Sequence, residues 1–366
     1  MKKVGILSMQ RIKNYGSFLQ AYALKKMIEG LGYDVQFVDY HVDEPLIKEE
    51  KAKNILFKGL DALREDAPLI QKIQYIIHKK NFGKKYYSML GLTDSPNYNP
   101  KLDTLVIGSD EVFNCIQSNK NVGYSMELFG KDNNAQSLIS YAASFGNTTL
   151  EKIKKYDKQE EISLLLKNFD SISVRDKNSY DIAKRLSGKN VNVNLDPVLI
   201  FDYMKNIEIP NIKENEKYMI VYAYSGRISR MESEKIKEYA KNKGLKVYAI
   251  GGAQSCADKF IDCSPFEVLA YFKNAECIIT DTFHGSIFSI ITKKNFITLV
   301  RKSVGNLYGN EEKLVDLLER LKLTSRIIYN IDDIDKISRN KIDYIEVDNI
   351  LKKQRKLTEK YLRENL

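Results

Sequence analysis

Short apolar runs alternate with helical patterns along most of the chain. In the first unit, residues 4–9 form an apolar strand pattern, Gly16 and Ser17 predict a turn and helix cap, residues 18–29 have helical spacing, and residues 35–38 are again strand-like. Such alternation is typical of strand-helix-strand units, whose strands lie in a mainly parallel sheet.

The alternation occurs in two series that meet near residue 210. Further strand patterns of the first series lie at 104–107, 138–141, 171–174 and 191–195. The second series has strand patterns at 219–224, 246–250, 277–279 and 297–300, and helical patterns at 231–243, 265–273, 286–292 and 312–321. We therefore predict an α/β protein with two Rossmann-like domains, residues 1–210 and 211–340, followed by a C-terminal helix at 341–366. That helix either packs back across the first domain or caps its own.

A basic helical insertion, residues 46–91, interrupts the first series. It contains 10 lysine and arginine residues against 5 aspartate and glutamate residues. A charge-rich helix of this kind is most simply a solvated face, and the alternative is a surface that docks on a membrane or a glycan.

The amino-acid composition limits the classes of binding partner and the cellular compartment that we expect. The formal charge of +10 favours anionic partners, such as nucleic acid, acidic lipid headgroups, a phosphorylated small molecule or an acidic glycan. The four cysteines show no CxxC spacing and few histidines accompany them, which indicates reduced thiols and no zinc site. The sequence contains no signal-peptide core and no apolar run of membrane-spanning length, so we expect a cytoplasmic protein.

Polar residues follow directly after the strand patterns. In open parallel sheets ligands bind beyond the carboxyl ends of the strands. The residues at these positions are Asn14, Ser109-Asp110-Glu111, Ser144, Arg175-Asp176, Asp196 and the segment from Asp281 to His284. Several carboxylates, an arginine and a histidine therefore converge at one edge, which favours a chemical site over a featureless scaffold.

His284 is one of only three histidines and lies where a strand gives way to a helix. The unpaired N–H groups and the dipole at the amino end of a helix attract anions. A histidine there is a candidate for proton transfer or phosphate contact. The plainer interpretation is a histidine at the edge of the core, bonded to a carbonyl, because it shares a helical stripe with Ile287, Phe288 and Ile291.

The other candidates also have structural interpretations. Asp176 and Asp196 suit helix caps or turns, and Asp110 is either a cap or a site residue. Arg175 either pairs with Asp110 or Asp281 to hold two loops together, or presents its planar guanidinium to a phosphate or carboxylate.

Six blocks of the sequence, in order, resemble the polysaccharide pyruvyl transferase family. They are NYGSFLQAYAL (14–24), IGSDEVFN (107–114), SYAASFG (140–146), ISVRD (172–176), LDPVL (195–199) and TDTFHG (280–285). The resemblance extends over residues 4–325, which makes it far more specific than any single motif.

This resemblance implies a fold similar to the GT-B glycosyltransferases, with a cleft between the two domains. The N-terminal domain would be the acceptor side and the C-terminal domain the donor side. The implied reaction is transfer of a pyruvyl ketal from phosphoenolpyruvate to two hydroxyls of a sugar in a cell-surface or capsular polysaccharide precursor. The His-Gly element of the family corresponds to His284-Gly285, and its arginine after a central strand corresponds to Arg175. Several members have arginine where this chain has Thr282, and Arg301 is the candidate substitute.

Ketal transfer requires cations for a phosphate and a carboxylate, an acid for the enol carbon and a base for a sugar hydroxyl. We expect His284 to assist either protonation of the enol carbon or departure of the phosphate, and Asp110 or Asp281 to be the base. The expected substrate-binding residues are Arg175, Gly285, Ser286, Asn14, Tyr15, Gly16, Ser144 and Arg301. No metal and no cofactor beyond the co-substrate phosphoenolpyruvate is expected.

The expected partners are phosphoenolpyruvate and a glycan or lipid-linked sugar acceptor. For a lipid-linked acceptor, the insertion at 46–91 would make peripheral contact with the inner membrane surface. No recognition helix and no aromatic-basic interleaving indicates nucleic-acid binding. Two other functions stay open from sequence: a GT-B glycosyltransferase that uses a nucleotide sugar, and a non-catalytic glycan-binding protein.

Overall fold

The computed structural model describes residues 1–47, 67–302 and 310–366. The strands are β1 (Lys3–Leu7), β2 (Asp34–Val38), β3 (Leu102–Asp110), β4 (Ala135–Ala143), β5 (Ile172–Val174), β6 (Val191–Val193), β7 (Tyr218–Tyr222), β8 (Lys246–Ile250), β9 (Lys259–Phe260), β10 (Cys277–Thr280), β11 (Phe296–Leu299) and β12 (Ile327–Ile328). The helices are α1 (Tyr15–Glu29), α2 (Leu69–Leu90), α3 (Leu150–Lys155), α4 (Gln159–Lys167), α5 (Lys177–Ser187), α6 (Pro197–Ile200), α7 (Tyr203–Asn206), α8 (Arg230–Lys243), α9 (Pro265–Asn274), α10 (Phe283–Ile291), α11 (Glu311–Arg320), α12 (Ile334–Ser338) and α13 (Tyr344–Asn365).

The first lobe is built on a six-stranded parallel sheet with the order β2-β1-β3-β4-β5-β6. Successive side chains of its central strands enter different core layers. Val106 packs in one apolar cluster, whereas Leu105 and Ile107 pack in another on the opposite face. Strands buried on both faces read as continuous apolar runs, which is why the sequence pattern located them.

The second lobe has a six-stranded parallel sheet with the order β12-β11-β10-β7-β8-β9. Counted from β7 as its first strand, this is the 3-2-1-4-5-6 order of the Rossmann fold. Strands β7 to β9 follow one another towards one edge of the sheet, whereas β10 to β12 follow one another towards the other edge. The point between β7 and β10 is therefore a topological switch point, and ligands bind beyond the carboxyl ends of the strands at such a point. The predicted α/β architecture with two Rossmann-like halves is confirmed.

The C-terminal helix α13 returns to the first lobe. The Tyr361 hydroxyl donates to the Ser140 carbonyl at 2.7 Å, and the Thr358 and Tyr141 hydroxyls lie 3.2 Å apart. The beginning of the helix contacts the second lobe, where the Tyr344 hydroxyl donates to the Ser289 and Lys294 carbonyls. Both placements left open by the sequence are therefore observed, each for one part of the helix.

Helix α2 is the described part of the predicted basic insertion, of which residues 48–66 lie outside the described residues. One face of α2 is buried, and Gln71, His78 and Tyr86 on that face contact the second lobe. The amide of Gln71 donates to the Ala257 carbonyl at 2.9 Å. One face of α2 is exposed to solvent, and the other links the two lobes.

In the part of the chain that the structure describes, no helix is both long and apolar enough to cross a membrane. All four cysteines are buried free thiols.

Candidate active site between the lobes

Helix α1 begins one residue before the predicted turn. Asn14 is its N-cap, and the Asn14 side chain accepts a hydrogen bond from the Ser17 backbone N–H at 2.7 Å. The prediction of a turn and cap at Gly16 and Ser17 is wrong, because both residues lie in the first turn of the helix. A capped amino end thus faces the second lobe.

Gly16 makes the close contact between the lobes. A Cβ atom at this position would lie 2.3 Å from Nδ1 of His284, so any larger residue would displace the imidazole ring. The backbone of α1 therefore forms one wall of the His284 environment.

Helix α10 starts three residues earlier than its apolar pattern indicated, at Phe283. Its N-cap is Thr282, whose hydroxyl accepts from the Gly285 N–H at 2.9 Å. His284 is therefore the second helical residue. The N–H groups of Phe283 and His284, unlike that of Gly285, are not taken by this cap, and together with the helix dipole they favour an anion here.

Arg175 and His284 converge on one carboxylate from opposite lobes. Arg175 Nη1 lies 2.9 Å from Asp196 Oδ2, and His284 Nε2 lies 3.7 Å from the same oxygen. Arg175 Nη2 also approaches Asp110 Oδ1 at 3.4 Å. The partners of Arg175 are thus Asp110 and Asp196, and Asp281 is not among them.

The cluster is strongly ionic despite its burial. Burial alone would lower the pKa of Arg175, but the carboxylates of Asp110 and Asp196 raise it above its ordinary value. Burial likewise opposes ionisation of Asp196, whereas the side chains of His284 and Arg175 lower its pKa below the ordinary value. The guanidinium also lies over the Phe283 ring, 4.5 Å from its centroid. An incoming phosphate would compete with two carboxylates for Arg175.

His284 has a ring nitrogen without a hydrogen-bond partner in the described parts of the chain, at the boundary between the lobes. Its side chain is 14% exposed, but the Nε2 atom is itself buried and has no hydrogen-bond partner among the residues that the structure describes. The carbonyl partner expected for a core-edge histidine is not found at that atom. An imidazole nitrogen without a partner next to a carboxylate can take or give a proton when a substrate arrives.

Asp110 belongs to the same cluster. It is the last residue of β3 and adopts a left-handed backbone conformation with φ of 72°. The Ser17 hydroxyl donates to Asp110 Oδ2 at 2.8 Å, and the Glu111 N–H donates to Oδ1 at 2.9 Å. With 13% of its side chain exposed, Asp110 remains within reach of a ligand.

Asp281 faces a different group of residues in the second lobe. Its fully buried carboxylate lies 3.8 Å from Arg227 Nη1 and 3.7 Å from Arg301 Nε. Neither of its oxygens has a hydrogen-bond partner in the described parts of the chain, and burial raises its pKa. Arg301 is itself held by Glu232, whose two carboxylate oxygens lie 3.0 and 3.1 Å from its terminal nitrogens.

Four other predicted site residues have structural contacts. Ser144 donates to Asp176 at 2.6 Å, and Ser286 lies 2.9 Å from the Thr298 hydroxyl inside the second lobe. The Tyr15 hydroxyl donates to the Cys263 carbonyl at 2.8 Å, which ties the two lobes together. Gly285 packs so tightly on β10 that a Cβ atom there would lie 2.1 Å from the Thr280 hydroxyl.

The cap roles of two aspartates are confirmed. Asp176 accepts from the Ser179 N–H at the start of α5, and Asp196 Oδ1 accepts from the Val198 N–H at the start of α6. Asp196 combines this cap with a second set of contacts, since its other oxygen faces Arg175 and His284.

Helix α11 of the second lobe adds two cations that the sequence did not single out. Lys313 Nζ lies 2.9 Å from Glu111 Oε1, and Arg320 Nη1 donates to the Arg175 carbonyl at 2.7 Å. Burial opposes ionisation of Glu111, but Lys313 and Arg175 lower its pKa to about 2. The amphipathic spacing predicted the helix, but no pattern showed which of its charges cross to the other lobe.

Lys79 of α2 is a further cation at the boundary between the lobes. It lines a pocket together with Lys13, Asn14, Tyr15, His78, Tyr222, Ala223, Tyr224, Gly251 and Thr282. The ammonium donates to the Lys13 carbonyl, and burial lowers the pKa of Lys79 to about 8. The pocket joins the amino ends of α1 and α10 to the carboxyl ends of β7 and β8.

No group of three or more potential metal ligands occurs among the residues covered by the structure.

Comparisons with known proteins place the chain by fold and by family. It is similar to UDP-N-acetylglucosamine 2-epimerase from Rickettsia bellii, with a TM-score of 0.50 and 11% identity over 100% of this chain and 98% of that one. The epimerase of Methanocaldococcus jannaschii in complex with UDP-GlcNAc and UDP gives a TM-score of 0.48 and 14% identity, covering 98% and 99%. At 11% identity the likeness to the Rickettsia bellii enzyme shows the GT-B-like fold alone.

No curated protein matches the chain significantly by sequence. The sequence model of the polysaccharide pyruvyl transferase family matches residues 14–303. The match spans most of the chain, from the N-cap of α1 to beyond α10, and the chain therefore belongs to the polysaccharide pyruvyl transferase family, a family of transferases.

Proposed function

We propose that the protein transfers a pyruvyl ketal from phosphoenolpyruvate to two hydroxyls of a sugar in a cell-surface or capsular polysaccharide precursor. Family membership supports the reaction class. The observation that carries the proposal is the convergence of Arg175 and His284 on Asp196 beside the amino end of α10. A small dianionic donor matches this combination of positive charge and a proton-carrying ring.

The donor phosphate binds at the amino end of α10. First-turn N–H groups supply hydrogen bonds, and Lys79 supplies a cation whose ammonium is now satisfied by a backbone carbonyl. The guanidinium of Arg175 is already paired with two carboxylates. Arg175 therefore contributes positive charge to the site without binding the phosphate directly, and it positions His284 through Asp196. Arg301 and Arg227 provide further positive charge in the second lobe.

His284 protonates the methylene carbon of the enol, and a sugar hydroxyl attacks the adjacent carbon. The phosphate then leaves, and the second hydroxyl adds to complete the ketal. The two sugar hydroxyls release two protons. One replaces the proton that His284 gives to the new methyl group, and the other leaves on the phosphate. We assign the role of base to Asp110, because its carboxylate is partly exposed whereas that of Asp281 is fully buried.

Incubation with phosphoenolpyruvate and a panel of cell-wall and capsular sugars tests the proposal through phosphate release. The expected result is release that depends on one class of sugar. His284→Ala should lower the rate at least roughly 100-fold while circular dichroism stays unchanged, since a positioned acid typically contributes that much. His41→Ala is the matched control, because His41 is exposed and pairs with Glu127, which is not a residue of the candidate site. Unchanged turnover in His284→Ala would refute the assignment.

A nucleotide-sugar titration discriminates the main alternative, a glycosyltransferase with the same fold. Our proposal predicts that phosphoenolpyruvate raises the melting temperature at lower concentrations than any nucleotide sugar does. The reverse order, with sugar transfer and no phosphate release from phosphoenolpyruvate, would favour the glycosyltransferase.

A further inference from the structure

Helix α2 presents apolar side chains to solvent on the side away from the second lobe. Five aliphatic residues in its first three turns are between 43% and 63% exposed: Leu69, Ile70, Ile73, Ile76 and Ile77. Single exposed aliphatic residues are ordinary on protein surfaces, but a contiguous group of them marks an interaction site.

These residues lie on one face because successive residues of an α-helix are rotated by about 100°. The face is opposite to the one that carries the buried residues Gln71, His78 and Phe82. Exposed Lys80 and Lys84 follow at four-residue spacing from Ile76, so they continue the same face. We call these seven residues, Leu69, Ile70, Ile73, Ile76, Ile77, Lys80 and Lys84, the outer stripe.

We propose that the outer stripe docks the protein on a membrane surface that carries anionic lipid headgroups. The aliphatic side chains would enter the boundary between headgroups and acyl chains, as interfacial helices do. Lys80 and Lys84 would extend their ammonium groups to lipid phosphates, and the formal charge of +10 adds long-range attraction. Aliphatic and basic residues side by side supply the two kinds of signal that stable membrane binding requires.

The composition of the outer stripe fits a lipid surface better than a second copy of the chain. A standard protein interface involves roughly 20–30 residues per side, whereas the stripe offers seven. Two copies joined through it would also set Lys80 and Lys84 of each chain against apolar or like-charged residues of the other, which is unfavourable. An anionic bilayer has no such conflict.

Sedimentation with lipid vesicles tests the proposal with the full chain and without reference to catalysis. We expect binding to phosphatidylcholine vesicles that contain phosphatidylglycerol, weaker binding without it, and release as salt is raised. Ile73→Ser/Ile77→Ser and Lys80→Glu/Lys84→Glu should each lower the partition coefficient roughly tenfold or more. Circular dichroism should be unchanged, since these side chains are exposed.

The matched control is Ile345→Ser/Leu357→Ser on α13. This helix also has 22 residues, and both of its replaced side chains are exposed. The control should bind vesicles like the unaltered chain. The proposal is overturned if the protein does not bind anionic vesicles at low salt, or if the control loses as much binding as the stripe variants. It is equally overturned if light scattering shows a dimer that the stripe variants dissociate.

Discussion

The imidazole of His284 lies between a glycine and an aspartate, and each contact depends on a single atom. On one side Gly16 has no Cβ atom and so leaves room for Nδ1 of the ring. On the other side Asp196 Oδ2 lies 3.7 Å from Nε2. The orientation of the ring is therefore set jointly by α1 of the first lobe and the start of α6.

Gly16→Ala should reduce turnover at least roughly tenfold without unfolding the protein. Alanine favours a helix over glycine by about 1 kcal/mol, so the added methyl costs α1 nothing by propensity. It would nevertheless lie 2.3 Å from Nδ1 and push the ring away from Asp196. Steady-state phosphate release measures the effect. Because the substitution acts through His284, it should cause no further loss in a His284→Ala background, and additive losses would contradict this explanation.

The sequence placed the candidate site residues at one edge of the sheet but did not identify their partners. Arg175, Asp110 and His284 each follow a strand pattern, and parallel topology brings such positions to one edge. Asp196 was recognisable as a cap, but nothing local reveals that its second oxygen receives a guanidinium and an imidazole from distant segments. Asp281, three residues before His284, faces Arg227 and Arg301. Proximity in sequence was thus a poor guide at the end of β10.

At the scale of elements, α11 is attached to the first lobe by a partly buried ion pair. Glu111 and Lys313 are 23% and 19% exposed, and the ammonium lies 2.9 Å from the carboxylate. The same helix donates from Arg320 to the carbonyl of Arg175. A helix of the second lobe therefore braces the loop that carries the central arginine.

Glu111→Gln should lower the free energy of unfolding by about 1–3 kcal/mol at pH 7, after allowance for solvent screening. The pKa of Glu111 is lowered to about 2 in the folded protein. Its stabilisation is therefore fully present above the ordinary glutamate pKa and is lost as the pH falls from there towards 2. Urea unfolding at pH 7 and at about pH 3 measures this, and the difference from the unaltered chain should shrink at the lower pH. Glu234→Gln is the control, since the Arg230–Glu234 pair is exposed and should contribute little.

The strands were largely predictable from the sequence, whereas helices α3, α4 and α5 of the first lobe were not assigned from it. Most strands are apolar runs of four or more residues, which the sequence displays directly. β9 and β12 have two residues each, too few to form a pattern, and they were missed. α1 was assigned too late because glycine and serine favour turns, whereas here the cap on Asn14 and the fit against His284 place them inside a helix.

Across the whole molecule, α2 connects the two proposals. Its inner face contacts the second lobe, Lys79 on its flank lines the pocket between the lobes, and the outer stripe faces away. If the outer stripe contacts a membrane, only the thickness of α2 separates that membrane from the pocket. No periodicity in the sequence distinguishes the two apolar faces of α2, because each has helical spacing and the choice between them depends on the second lobe.

The contact between the lobes at His78 should make stability depend on pH. His78 is 3% exposed, and its Nδ1 lies 2.6 Å from Asp262 Oδ1 of the second lobe. Burial lowers the pKa of His78, and the partly compensating carboxylate of Asp262 does not restore it. Below the ordinary histidine pKa of about 6.5 the unfolded chain binds a proton more readily than the folded chain does. The free energy of unfolding therefore falls as the pH drops through this range.

The substitution His78→Phe keeps an aromatic ring beside Tyr15 and Phe82 but removes the titrating group. Urea unfolding between about pH 7.5 and 5.5 should therefore give a flatter dependence for His78→Phe than for the unaltered chain or for the exposed control His41→Asn. Equal slopes in all three proteins would mean that the lobes are not coupled through a histidine that must stay neutral.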